Sequence, residues 1–228
     1  MNSFQSQFYD NFIKDNRYMY LVKGFGTTLL LTSFAVLIGI ALGFLVAIIR
    51  STHDKTGKLK FPNLICSLYL TVIRGTPAVV QLLIMFYVVF ASYNNSIVVA
   101  ILTFGINSGA YVAEIIRSGI MSIDNGQFEA GRSLGFSYPQ TMLYIIMPQA
   151  FKNVLPALAN EFIVLLKETS ICGYIGLMDL TRGGDIIRSR TYEPFMPLIA
   201  VALIYLTLVV VLSNLVRKLE RRLRTSER

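Results

Sequence analysis

Residues 124–148 read DNGQFEAGRSLGFSYPQTMLYIIMP, a stretch that carries Asp124, Gln127, Glu129 and Arg132 between long uncharged runs. Asp124 followed three residues later by Gln127 predicts an N-cap with a capping-box partner. The short helix it starts ends at Gly135, the residue type that most easily takes the left-handed conformation past a helix end. Ser137 predicts a second cap, with Pro139 in the first turn and Gln140 at the capping-box position. Local chemistry therefore gives helix, glycine turn, helix: a compact polar knob suited to touching another molecule.

The sequence around it is apolar. Hydrophobic residues make up 54% of the 228 and the mean hydropathy is +0.58, above an ordinary soluble domain. Gly24 to Ile49 holds no charge and is long enough to cross a bilayer with tilt. The expected architecture is an all-α integral membrane protein, one transmembrane domain over residues 1–228. Five membrane helices are predicted at 22–49, 62–91, 97–117, 157–177 and 195–216. An external amphipathic segment precedes them at 1–20, with Phe4, Phe8 and Phe12 on one helical face; it reads as a helix on the outer membrane surface, a packed core helix or disorder, and a polar loop fills 118–156. The first twenty residues have no continuous apolar core, so the first span, rather than a cleaved leader, is expected to target the chain.

Charge sets the expected orientation. Thirteen of the 21 Lys and Arg fall in 50–60, 117–152 and 216–228, the sides that face the cytoplasm if the N-terminus lies outside and the C-terminus inside. The 118–156 loop is then cytoplasmic, and the basic tail from Arg217 to Arg228 lies near anionic headgroups. This clustering argues against a nucleic-acid partner despite the net charge of +8. Gly57-Lys58 lacks an upstream glycine at phosphate-loop spacing and is followed by Leu59, so ATP is not bound by that route. Cys66 and Cys172 read as small buried hydrophobes, and His53 as a solvated loop residue. No catalytic group, metal site or cofactor is expected in this chain.

Within the spans, Gly39-x-x-x-Gly43 and Gly105-x-x-x-Gly109 predict faces of close helix packing. Pro77, in Arg74-Gly75-Thr76-Pro77, predicts a break, and Arg74 either snorkels to the interface or gates. Asn107 either bonds a neighbouring helix or lines a path. Glu114 and Arg117, three apart, are expected to pair. The fourth span carries Glu161, Lys167 and Glu168 beside Thr169 and Ser170. Each intramembrane charge costs about 2.5–3.5 kcal/mol on the insertion scale, so they should face the interior, as a translocation path or as an ion-pair cluster holding helices. Residues 178–193 mix Asp179, Arg182, Asp185, Arg188 and Arg190 with Gly183-Gly184; they read as an external segment, a partner contact or a solvated loop.

The spacing Glu129-Ala130-Gly131, Gly135, Ile145, Met147-Pro148 resembles the EAA signature of ABC-importer permeases: EAA, three residues, G, nine residues, I, one residue, L, P. Gly131 and Met147 depart from it, and Gly131 weakens the helix by roughly 1 kcal/mol. Arg74-Gly75-Thr76-Pro77 with Gln81, the run from Tyr111 to Ile120, and Lys167-Glu168-Thr169-Ser170 are similar to the polar amino-acid branch; the likeness covers about residues 20–215. The resemblance implies a type I importer permease in a prokaryotic cell membrane. Glu129, Ala130, Gly131, Gly135, Ile145 and Pro148 would couple to a pair of ATPase subunits, which themselves bind ATP and Mg. A second permease chain, an external amino-acid-binding protein and a polar amino-acid substrate complete the expected partners. Arg74, Thr76, Pro77, Gln81, Asn107, Glu161, Lys167, Glu168, Thr169 and Ser170 are the candidate path or gate. The alternatives are an ion-coupled secondary transporter or channel subunit using the intramembrane charges, and a membrane scaffold.

Overall fold

The structure, a computed structural model, describes residues 3–225; the last three residues of the expected basic tail lie outside the described residues. No β-strand occurs among those described. In order, the α-helices are α1 (Ser3–Phe8), α2 (Tyr18–Thr56), α3 (Lys60–Gly75), α4 (Ala78–Ile84), α5 (Ser96–Met121), α6 (Asn125–Ser133), α7 (Tyr138–Thr141), α8 (Met147–Glu168), α9 (Leu180–Thr191) and α10 (Phe195–Thr225). π-helical turns follow α1, α4 and α7, at Tyr9–Ile13, Met85–Val89 and Met142–Ile146, and a 3₁₀ turn at Thr169–Ile175 extends α8. Helices α2, α5 and α10 are each long and apolar enough to cross a membrane, and the broken α3–α4 pair makes a fourth if taken as one span. The remaining expected span, 157–177, falls on the more polar α8 and its 3₁₀ turn.

Several boundaries differ from expectation. Helix α2 continues through most of the predicted 50–60 loop. No breaker occurs before Gly57, where the chain turns at φ 66, with Leu59 at φ 60. The 62–91 stretch is broken as its proline predicts, at Thr76 (φ −121, ψ 145) and Pro77 (φ −63, ψ 136). Within 118–156 the expected helix, glycine turn and helix appear as α6 and α7, while α8 begins at Met147 rather than at 157, with Pro156 inside it. The N-terminal segment is not one helix: Asp15 and Asn16 take positive φ, which short polar side chains tolerate. Phe12 is buried while Phe4 and Phe8 are exposed.

The chain forms two compact units. One comprises Met1–Ala35, Pro77–Phe104 and Phe162–Asn214. Its core gathers Phe12, Leu21, Leu180, Ile187, Met196 and Val201. Residues 178–193, read as a polar segment, are here an amphipathic helix. Asp179 caps α9, accepting from the amides of Thr181 at 2.9 Å and Arg182 at 3.2 Å. Leu180 and Ile187, seven apart and so on one face, are fully buried. The Leu180 amide donates to Thr28 Oγ1 of α2 at 3.1 Å. On the exposed side Asp185 accepts from both Arg182 and Arg188. Glu193 then caps α10, accepting from the amides of Phe195 and Met196, each at 3.0 Å.

The other unit comprises Val36–Thr76, Gly105–Glu161 and Leu215–Arg228. Helix α2 lies against α5 here. A Cβ on Gly43 would come 2.6 Å from Val112 Cγ1, so the Gly39-x-x-x-Gly43 face permits a backbone approach that a side chain would block. Tyr69 of α3 donates to the Ile106 carbonyl of α5 at 2.6 Å. A continuous cluster of Ala47, Val112, Ile116, Ile120, Phe128, Met142, Ile146, Ala150 and Val154 joins α2, α5, α6 and α8. Cys66 and Cys172 are buried free thiols in different units. His53 is half-buried rather than solvated, with Nδ1 3.6 Å from Asp54 Oδ1.

Candidate functional site

The knob at 124–141 is built from its caps. Asp124 accepts from the Gly126 amide at 2.7 Å, satisfying one of the donors orphaned at the start of α6. Gln127 does not close the box; its Oε1 accepts from Gln149 of α8 at 3.2 Å. At the other end the Phe136 amide donates to the Gly131 carbonyl at 3.0 Å and the Gly135 amide to Arg132 at 2.9 Å. These two bonds form a Schellman motif, which requires the φ of +79° found at Gly135. Ser137 then starts α7, its amide and hydroxyl both donating to Gln140 Oε1 at 2.9 and 2.8 Å.

Packing separates the six expected coupling residues. Glu129, Ala130, Gly135 and Pro148 are exposed, whereas Gly131 is buried and Ile145 half-buried. Ile145 packs against the unit's core, so its part is to anchor the helix behind the knob. Gly131 faces Thr141: a Cβ there would lie 2.6 Å from Thr141 Cγ2. The departure from alanine at this position is thus matched to its neighbour.

The knob is also held from the side. Lys55, near the end of α2, donates to Asn125 Oδ1 at 2.7 Å and stands 4.7 Å from the centre of the Phe128 ring. The Phe128 and Tyr138 rings lie nearly parallel, 11° apart with centroids 6.4 Å apart, tying α6 to α7.

The ten path candidates do not assemble as one constellation within either unit. Arg74, Thr76, Asn107 and Glu161 belong to one, and Pro77, Gln81, Lys167, Glu168, Thr169 and Ser170 to the other. Arg74 pairs with Glu114, its guanidinium 5.7 Å from the Tyr111 ring centre. The expected Glu114–Arg117 pair does not form, because Arg117 is taken by Asp54 at 2.7 Å. Glu161, 8% exposed, accepts from the buried Ser108 hydroxyl at 2.9 Å, which offsets part of the cost of burying the carboxyl. Asn107 and Gln81 are buried as well. Thr76 and Thr169 spend their hydroxyls on the local carbonyls of Val72 and Leu166, each at 2.8 Å. Lys167 is exposed, and Glu168 and Ser170 are half-buried. No cluster of His, Cys, Asp or Glu that could hold a metal occurs among the described residues.

Residues 39–225 match the family model of the binding-protein-dependent transport system inner membrane component. The chain belongs to this family. The permease is 36% identical over 212 residues to the arginine transport system permease protein ArtQ of Bacillus subtilis (strain 168), covering 91% of this chain and 94% of that one. It is 35% identical over 208 residues to the glutamine transport system permease protein GlnP of Escherichia coli (strain K12), covering 90% and 93%. A crystal structure of an amino acid ABC transporter with histidines contains a chain that superposes with a TM-score of 0.84 at 44% identity, over 92% of this chain and 98% of that one. The architecture is the type I ABC importer permease fold.

Two features of the permease's knob escaped the sequence. Leu134 is 70% exposed and Phe136 37%, flanking the glycine turn with apolar surface on an otherwise polar element. Their signal was apolar residues on both sides of a predicted turn, where polar ones are usual. The Lys55 brace gave no local signal, because it joins residues 70 apart in sequence.

Proposed function

We propose that this permease is the membrane subunit of an ATP-driven, binding-protein-dependent importer of polar amino acids, gripped by a separate ATPase pair at residues 124–148. The observation that carries the reading is the exposed, doubly capped knob with Glu129, Ala130, Leu134, Gly135 and Phe136 on its surface. A knob that converts a partner's rotation into helix displacement has to be stiff. The caps at Asp124 and Ser137 and the Schellman turn between them supply that stiffness. The substrate class is inferred from the names of the arginine and glutamine transport relatives. Charge clustering supports a cytoplasmic knob with the N-terminus outside. A second permease chain and an external binding protein complete the assembly, ATP and Mg residing on the ATPase. We read the buried Ser108–Glu161 pair as the polar group that meets a cationic substrate, and Arg74–Glu114 as the gate.

Co-purification of the tagged permease with its ATPase, for wild type and Gly135→Asp, tests the reading. Wild type is expected to retain the ATPase and the variant to lose it. Uptake that proceeds in vesicles on an ion gradient, without ATPase or binding protein, would overturn it in favour of a secondary transporter.

A further inference from the structure

The end of α2 carries two side chains that the coupling role just described leaves unused. Past Ile49 the helix runs on to Thr56, and in this last stretch Asp54 and Lys55 each reach another element. Lys55 Nζ donates to Asn125, the first residue of α6, at 2.7 Å, and covers the Phe128 ring. Asp54 accepts from Arg117 Nε and Nη2 of α5, at 3.0 and 2.7 Å.

Helix α6 is otherwise held by Phe128 packed in the core cluster, by the Gly135 turn into α7 and by the Gln127–Gln149 contact with α8. Apolar packing is non-directional, so a short helix seated mainly on one buried ring can still pivot when pushed. Held at Asn125 as well, it moves as a body and carries the end of α2 with it. Both α2 bonds involve a charged group, which makes them short and directional. Both are exposed, so they add little to folding stability.

We propose that Lys55 and Asp54 are positioning residues that make α2 a second strut of the knob. The strut delivers the knob's displacement into α2 and α5 in parallel with the covalent route through α7 and α8. The proposal rests on the reading of the knob as the ATPase-coupling element. Lys55 sets the mechanical link to α6, its ammonium over Phe128, whose ring in turn stacks on Tyr138. Asp54 locks the same helix end to α5.

The test uses the assembled complex of permease, ATPase and binding protein in proteoliposomes, with labelled glutamine and arginine as probes. ATPase retention, basal ATP hydrolysis and uptake per ATP are measured together. Lys55→Met keeps the aliphatic stem and is expected to retain the ATPase with basal hydrolysis within about twofold, while uptake per ATP falls about fivefold. Lys55→Arg, able to donate to Asn125 and to cover Phe128, is expected to restore it. Lys55→Met with Asn125→Ala is expected to fall no further than Lys55→Met alone, since both remove one link. Unchanged uptake per ATP in Lys55→Met overturns the strut, and so does a loss in strict proportion to ATPase release. A wild-type complex that holds no ATPase overturns the coupling reading itself, a result visible without any Lys55 variant.

Discussion

Arg117 donates through Nε and Nη2 to a single oxygen of Asp54, at 3.0 and 2.7 Å, although Glu114 lies one turn away on its own helix. Glu114 pairs instead with Arg74 of α3. The two ion pairs are therefore interhelical, joining α5 to α2 and to α3. In thermal unfolding of the detergent-solubilised protein, Arg117→Gln and Asp54→Asn should be non-additive, by about 0.5 kcal/mol. Arg117→Gln and Glu114→Gln should be additive. The reverse pattern would restore the local pair.

At Gly135 nothing lies within 4 Å of an added Cβ, yet φ is +79°. Substitution therefore costs backbone strain, about 1–2 kcal/mol for an ordinary L-residue, and no clash. ATPase retention should rank Gly, then Asn, then Ala, then Val, because Asn tolerates the left-handed region and β-branched residues do not. Equal retention by the Gly135→Asn and Gly135→Val variants would show that the turn conformation is irrelevant to docking.

Gly131→Ala sets two effects against each other. Alanine gains about 1 kcal/mol of helix propensity, while its Cβ meets Thr141 Cγ2 at 2.6 Å, an overpacking cost of about 1–3 kcal/mol. The clash should win, and the double variant Gly131→Ala, Thr141→Ala should recover stability. Thr141 Oγ1 has no hydrogen-bond partner, so that truncation forfeits no bond. A double variant no more stable than Gly131→Ala would rule the clash out as the cause.

Glu161→Gln keeps an acceptor for the Ser108 hydroxyl but removes the charge. Uptake of a cationic amino acid should fall while recovery of the assembled complex stays near wild type. Parallel loss of both would make Glu161 a structural group.

The hydrogen bond from Arg188, helped by Arg182, holds the Asp185 carboxyl below the usual carboxylate range. A depressed folded-state value stabilises above the unfolded pKa, and that contribution disappears as pH falls through the folded one. Between about pH 6 and pH 3, wild type should lose more of its thermal midpoint than Asp185→Asn does. Superimposable acid limbs would mean that the two arginines contribute nothing to folding.

What could be read from the sequence was local in origin. The caps at Asp124 and Ser137, the glycine turn and the break at Pro77 each depend on residues within four positions, and all appear where spacing placed them. Gln127 and Arg117 went astray for one reason: a partner distant in sequence, Gln149 or Asp54, competed with the local one. Helix α9 was hidden by composition. Its charges suggested a loop, although Leu180 and Ile187 already marked a buried face. The path candidates are spread over two units, because an apolar span shows which residues are polar without showing which of them meet.

The turn at Met142–Ile146 between the knob and α8 is π-helical, holding one residue more than an α-turn would need. That surplus makes this point of the chain forgiving of length. Deleting one residue there can be absorbed by tightening the turn, leaving Val154, Leu158 and Glu161 facing as before. The same deletion farther along α8 would swing every following side chain by about 100°. Related chains that differ by a single-residue gap near here can therefore keep the same inward face.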